Sequence, residues 1–359
     1  MGSIDRSALG RAFDVAARHV ADGAAPWCVL GVATRDRVVR VDAWGNGPAG
    51  AAIGTESVGL VASITKPIVA TMVLQLVAEG SLALDEPLER LLPESADPQL
   101  GPPVTAWHLL THTSGLADLD LEDLLGRGTS HEDVVRRLLR EPRRAAPGSA
   151  FVYASATFDL LAALVTRLDG RPYPEALSAR VLEPLGMHAT TFDPRPASLG
   201  RMVRPLTAPL PQGTPLPDAT LDGFIRLAMP GAGLWSTAGD LLRFGRAFAR
   251  GGELDGARIL PQAFVDLMTR EVTVGGLGAA TNPLESEHYA LGWGTAAISD
   301  PGSRRSFFHG GITGTRLWVD PPNDLVVAYL TGAWDQPAWP ADAVVNAVYA
   351  ALTGDVDGG

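Results

Sequence analysis

Hydrophobic positions change period twice within the first eighty residues. Leu9, Phe13, Ala16, Ala17 and Val20 recur at helical spacing and predict an amphipathic N-terminal helix. Two short apolar runs follow, residues 28–34 and 38–44, separated by the charged triplet Arg35-Asp36-Arg37, which is the pattern of a hairpin. After Ser63 the period is helical again: Ile64, Ile68, Val69, Met72, Val73, Leu76 and Val77 give a strongly apolar run that stops at Gly80. Pro67 falls in the first turn of that run, where a missing N–H costs little. So apolar a helix belongs in the interior.

Residues 81–225 change character. Helical spacing appears over 105–111, 130–140, 156–168 and 174–182, with Pro/Gly-rich connections between, and Ser130 with Asp133 three residues on marks an N-cap. Residues 194–217 are rich in proline, lack a period and read as an extended connection. A helix capped by Ser236 or Thr237 carries Leu241, Leu242, Phe244 and Phe248, and another covers 261–270. Three strand-like stretches follow, over 289–297, over 306–309 continuing to 315–319, and over 325–331. The last two are joined by the turn sequence Asp320-Pro-Pro-Asn-Asp324, and a final helix covers 341–352.

The simplest assembly is an α+β fold in which the N-terminal hairpin joins the C-terminal strands in one antiparallel sheet flanked by the terminal helices. On this reading 1–80 and 226–359 form a discontinuous sheet domain, and 81–225 is an inserted, mainly helical domain. The chain is long enough for this, with 359 residues, 46% of them hydrophobic.

Charge and cysteine usage remove several function classes. A net charge of −11 and a pI near 5.1 do not make a nucleic-acid footprint, which needs a clustered basic face. The one basic concentration, Arg136, Arg137, Arg140, Arg143 and Arg144, has helical spacing and is interleaved with Glu132, Asp133 and Glu141, as on a solvated helix face. Cys28 is the sole cysteine, so neither an intrachain disulfide nor a cysteine metal cluster can form. It reads as a buried strand thiol. The first residues lack the apolar core of a secretory signal and no apolar run spans a membrane, so the expected location is cytoplasmic.

One basic residue stands apart. Of 29 Lys and Arg residues only Lys66 is lysine, and it follows Ser63 by three positions. Arginine is effectively always charged, whereas a partly buried lysine can lose its proton. One helical turn separates the two residues, so both side chains project from the same face at the positive end of the helix dipole. A deprotonatable amine beside a hydroxyl is one way to make a serine nucleophilic.

The stretch from Val58 to Glu94, with Ser63-Ile-Thr-Lys66-Pro67 and Glu79-Gly80-Ser-Leu82-Ala-Leu84-Asp85-Glu86-Pro87, resembles the serine β-lactamase and penicillin-binding-protein superfamily. Within it, the pattern is closest to class C β-lactamases and the related esterases and D-amino-acid peptidases. The likeness continues in order through His108-Leu-Leu-Thr-His112-Thr-Ser114-Gly115-Leu116, Pro147-Gly148, Tyr153-Ala-Ser155, Leu185-Gly186-Met187, Gly233 to Leu241 and His309-Gly310-Gly311.

The resemblance implies a β-lactamase/transpeptidase-like fold and no cofactor or metal. It implies that Ser63 is acylated, that Lys66 lies beside it, and that Tyr153 contacts it and shuttles a proton to the leaving group. Either Lys66 or Tyr153 can take the serine proton on this reading, and the sequence does not choose. The backbone N–H groups of Ser63 and Ile312 are implied as the oxyanion hole, with Ser155, His309, Gly310 and Gly311 lining the substrate site.

Two departures shift the expectation away from antibiotics. Ser155 stands where the lactamases usually carry Asn, and His309-Gly310-Gly311 stands where they carry Lys-Thr-Gly. A donor amide becomes a short hydroxyl and a fixed cation becomes a histidine. The expected substrates are small carboxylic esters or amides. An acyltransferase and a D-peptidase use the same motifs, and a non-turnover protein that binds a β-lactam or peptide is the reading from another class.

Other polar residues carry smaller expectations: a structural hydrogen-bonding role for His112, no metal site at His108 and His112, and a helix N-terminus for Asp240. Residues 275–282, with three glycines, read as a flap or a surface loop. Trp235, Trp293, Trp318 and Trp334 are candidates for a cleft wall or for the core.

Overall fold

A computed structural model describes residues 3–95, 102–125, 128–195, 202–207, 213–272, 288–296, 300–335 and 337–353. The elements used below are α1 (Arg6–Ala21), β1 (Trp27–Ala33), β2 (Val38–Gly45), α2 (Thr65–Ala78), α3 (Phe158–Asp169), α4 (Ala238–Ala249), β3 (Gly294–Thr295), β4 (Phe307–Gly310), β5 (Arg316–Asp320), β6 (Leu325–Leu330) and α5 (Trp339–Tyr349). The six strands form one antiparallel sheet in the order β2-β1-β6-β5-β4-β3. The expected union of N-terminal hairpin and C-terminal strands is made by β1 against β6, with Leu30 opposite Tyr329.

Alternation along β1 sorts its side chains to two layers. Cys28, Leu30 and Val32 face a cluster with Leu9 and Phe13 of α1 and Val344 and Val348 of α5. Val29 and Ala33 join the larger core on the other side, where α4 crosses the sheet. The approach of α4 is close: a Cβ on Gly245 would lie 2.5 Å from Val326 Cγ1. Helix α2 is buried along almost its whole length, as its apolar run requires, and packs against α3.

Residues 81–225 carry the expected helices with bounds moved by one or two residues, the one at Tyr173–Leu177 continuing as a π-helix over Ser178–Leu182. His131–Leu138 opens on a reciprocal capping box, in which Ser130 Oγ accepts from Asp133 N at 3.1 Å and Asp133 Oδ2 accepts from Ser130 N at 3.0 Å. Three elements differ from expectation. The helix after Ser63 starts at Thr65, with a tight 3₁₀ turn over Ala62–Ile64 before it. The stretch from Tyr289 is not a continuous strand: Gly292 takes a positive φ of 82°, and the chain bends so that Tyr289 bridges back to Gly294. The proline-rich connection is partly ordered, because Met202–Val203 pairs in parallel with Val58–Leu60, and a helix without an expectation, Asp218–Leu227, follows it. Residues 275–282 lie outside the described residues.

One buried carboxylate ties the β5–β6 turn to α5. Asp320, fully buried, accepts hydrogen bonds from Ser303 N and Oγ (2.9 and 2.7 Å), Asn323 Nδ2 (2.8 Å) and Tyr349 OH (2.6 Å). Tyr349 OH in turn accepts from Trp318 Nε1 at 2.8 Å. Removing the acceptor strands all of these donors away from water. Asp320→Ala is therefore expected to destabilise the protein by about 3 kcal/mol or more, against about 1 kcal/mol for Tyr349→Phe. Urea midpoints of the two variants check the order.

Candidate active site

Ser63 sits on the 3₁₀ turn between the short strand Val58–Leu60 and α2, and this turn is held from three sides. Thr65 Oγ1 donates to Ala62 O at 2.6 Å and accepts from Leu234 N at 3.0 Å. Val61 N donates to Leu234 O at 2.9 Å, and Thr313 and Thr315 hydroxyls donate to Leu60 O and Val61 O at 2.9 and 3.2 Å. The clamping holds strain, since Ala62, immediately before the serine, has a positive φ of 46°. Among the described residues neither the Ser63 nor the Ile312 N–H has a protein acceptor.

Lys66, one turn on, has no solvent exposure. Its Nζ lies 3.0 Å from Ser63 Oγ, 3.0 Å from Ser155 Oγ and 2.8 Å from Gly231 O, and 4.6 Å from the centre of the Tyr153 ring. Lys66 thus touches Ser63 and lies over the Tyr153 ring, and Ser155 is spent on the lysine. Gly231 had no expectation attached. It is glycine for a steric reason, because a Cβ there would sit 2.4 Å from Ser155 O. Nothing in its surroundings in sequence marks it beyond the glycine-rich Pro230-Gly231-Ala-Gly233.

The segment from His112 to Asp118 acts as a mould for the Tyr153 loop. Val152 N donates to His112 O (2.8 Å) and Ala154 N to His112 Nδ1 (3.3 Å). Ser155 N and Ala156 N donate to the two oxygens of Asp118, both at 2.9 Å. A carboxylate here also meets the start of α3, where free N–H groups favour negative charge. His112 has the structural hydrogen-bonding role expected of it, and it adds a ring contact, 4.3 Å between centroids, to Tyr153. Asp118 was missed by sequence reasoning; its only signal is its place two residues beyond the His112–Leu116 motif.

His309 is the penultimate residue of β4, with its side chain buried. Nδ1 lies 2.8 Å from Gly310 O, and Nε2 lies 3.0 Å from Tyr289 OH, which the bend at Gly292 brings there. Burial first, and then the charge of Lys66, push the His309 pKa down to about 3, so the imidazole is neutral. His112 is held well below its ordinary value by the same two causes in the same order.

Glycines 310 and 311 serve the protein's own packing. A Cβ on Gly311 would lie 2.5 Å from Val61 O and 3.1 Å from the Ala62 methyl, so its absence lets β4 reach the Ser63 turn. Across the sheet Gly310 faces Arg316, whose Nη1 would be 3.0 Å from a Cβ. Ile312, which follows, is 39% exposed.

Asp240 lies in the first turn of α4, but the cap is Thr237, and the Asp240 carboxylate accepts from Ala189 N and Thr190 Oγ1 at 2.9 and 2.8 Å. It fastens a neighbouring segment to the helix. His108 Nδ1 accepts from Thr105 N at 3.2 Å within a capping box. Trp293 is buried against Phe244, Phe248 and Phe307, and Trp318 stacks on Phe308, so both are core residues. Cys28 is buried, and burial raises its thiol to about 12. No helix among the described residues is long and apolar enough to cross a membrane.

Known proteins share this architecture. EstCE1, a hydrolase with promiscuous acyltransferase activity, superposes with a TM-score of 0.83 at 21% identity, covering 96% of this chain and 99% of that one. A penicillin-binding-protein homologue from Caulobacter crescentus gives 0.82 at 22% identity, covering 98% and 99%. The fold is that of the serine β-lactamases and penicillin-binding proteins. In sequence, the chain is 36% identical over 333 residues to esterase EstB of Burkholderia gladioli, covering 81% of each. It is 32% identical over 296 residues to penicillin-binding protein 4 of Amycolatopsis lactamdurans, covering 79% of this chain and 74% of that one. A family model named Beta-lactamase matches residues 14–351. The chain belongs to the β-lactamase family, whose chemistry is serine acyl-enzyme hydrolysis or acyl transfer.

Two outcomes follow from this geometry. Gly231→Ala must push Ser155 away and lengthen the Lys66 contacts, so kcat is expected to fall at least about tenfold with the circular dichroism unchanged. For pH, the unfolded chain binds a proton on His112 and His309 near the ordinary histidine value of 6.5, whereas the folded chain resists it to far lower pH. Protons therefore favour unfolding, and stability falls as pH drops from about 6.5 towards 3. The drop in urea midpoint between pH 7 and 4 should be smaller in His309→Gln than in the unmodified protein.

Proposed function

We propose that this protein is a serine hydrolase that cleaves small carboxylic esters or amides through an acyl-enzyme on Ser63. The observation that carries the reading is the contact between Lys66 Nζ and Ser63 Oγ, 3.0 Å, in a position with no exposure to water. An amine so placed can take the serine proton as the oxygen attacks a carbonyl carbon. The direct contact supports Lys66 in that role, with Tyr153 next to it as the group that passes a proton to the departing alcohol or amine. Ser155 and Gly231 O orient the amine. The Ser63 and Ile312 N–H groups would serve the oxyanion as its donors. Water, entering after the leaving group, gives a proton back to the same pair and releases the acid and the free serine.

The relationship to esterase EstB supports esters over lactams, as does the neutral His309 in place of a fixed cation. Steady-state assays on p-nitrophenyl acetate and butyrate, nitrocefin and D-Ala-D-Ala peptides test the reading. Ester turnover is expected to exceed lactam turnover, and Ser63→Ala and Lys66→Arg should each lose at least about a hundredfold in kcat. Near-normal activity in Lys66→Arg would remove the neutral-amine role. Stoichiometric acylation without release would make the protein a binder and overturn the hydrolase.

A further inference from the structure

Tyr289 belongs to none of the three motifs, yet its hydroxyl is one of two partners of His309, and it is only 3% exposed. The other partner decides the tautomer. Gly310 O, a carbonyl oxygen, can only accept, so His309 Nδ1 carries the proton and Nε2 has only a lone pair. Tyr289 must then donate to Nε2. Both ring nitrogens are thereby used inside the protein.

The position of Tyr289 is over-determined by aromatic packing. Its ring lies 5.0 Å from His112, 5.7 Å from Phe151 and 6.4 Å from Tyr153, which puts it in the same wall as the second motif. The titratable groups acting on His309 are Lys66 on α2 and Arg316 on β5, with His112 behind Tyr289. Among them there is no carboxylate to stabilise an imidazolium. Arg316 pairs with Asp342 and stacks over Phe308 at 4.8 Å, and Lys66 Nζ faces its three oxygens.

We propose that Tyr289 is a selectivity residue of this site: its donation to His309 Nε2, added to burial and the charge of Lys66, keeps the third-motif position uncharged and without a free donor, so the site takes uncharged acyl groups and rejects those bearing a carboxylate. The proposal rests on Ser63 being the acylated residue. A carboxylate brought against His309 gives up water and gains neither a cation nor an N–H from the ring in return. An uncharged alkyl chain loses nothing there.

The test compares p-nitrophenyl butyrate with mono-p-nitrophenyl glutarate, which adds a carboxylate at the end of the acyl chain. The intact protein is expected to favour butyrate in kcat/KM by at least about tenfold at pH 7, with the difference mainly in KM. In Tyr289→Phe the Nε2 lone pair is left without its donor, and a proton binds there more readily. The preference should be smaller in Tyr289→Phe than in the intact protein, and the more so as pH falls. His309→Lys, with a cation at the same place, should shrink it at every pH.

Independently of turnover, the imidazole NMR signals of His309 should report the Nδ1–H tautomer from pH 5 to 8 in the intact protein and an upward-shifted titration in Tyr289→Phe. Equal kcat/KM for the two esters in the intact protein, or an Nε2–H tautomer, would overturn the proposal. If instead Ser63→Ala hydrolyses both esters at the unmodified rate, it is the acyl-enzyme reading that fails, and the NMR result still judges the tautomer.

Discussion

A basic nitrogen with no exposure to water has to be surrounded by acceptors, and Lys66 Nζ faces oxygens that come from positions 3, 89 and 165 residues away along the chain. Satisfying that one atom brings together the start of α2, the loop before α3 and the glycine-rich approach to α4. Each of these segments is then fixed by neighbours of its own. Thr313 and Thr315 clamp the serine turn, Asp118 holds the N–H groups of Ser155 and Ala156, and the missing side chain at Gly231 lets its carbonyl come within 2.8 Å of the amine.

Strain collects at the joints of this arrangement. Ala62 and His112 both have positive φ, 46° and 55°, although neither is glycine. Such conformations cost about 1 kcal/mol or more each and persist only where surrounding contacts over-determine them. Ala62 is held by Thr65 and by the close approach of Gly311; His112 by its two bonds to the 152–154 backbone and by ring contacts with Tyr153, Phe151 and Phe158. The sheet and the buried α2 are the stiff frame against which this strain is kept.

Electrostatics gives the site its second character. Two histidines that feel the charge of Lys66, His112 and His309, are both held neutral by burial and by the lysine itself. A second cation at the third motif would repel the first. With a neutral imidazole there, proton transfer near Ser63 can proceed without competition from another titrating group at neutral pH. The same substitution removes the group that would grip a negatively charged substrate.

Period and punctuation made the frame legible: the hairpin, the buried α2, the Ser130 capping box, the Asp320 turn and the terminal helices all follow from local spacing. The lone lysine and the order of motifs marked Ser63, Lys66, Tyr153 and His309 as candidates, because residue type and motif order are visible in the chain itself. Asp118, Gly231 and Tyr289 carried no such mark. Their roles depend on a carboxylate reaching two backbone N–H groups, on the absence of a Cβ, and on a bend at Gly292 that turns an expected strand back towards His309. Residue type and spacing are properties of the chain and determine elements and chemistry. Which oxygen faces which nitrogen is a property of segments packed from distant positions, and only the tertiary structure decides it.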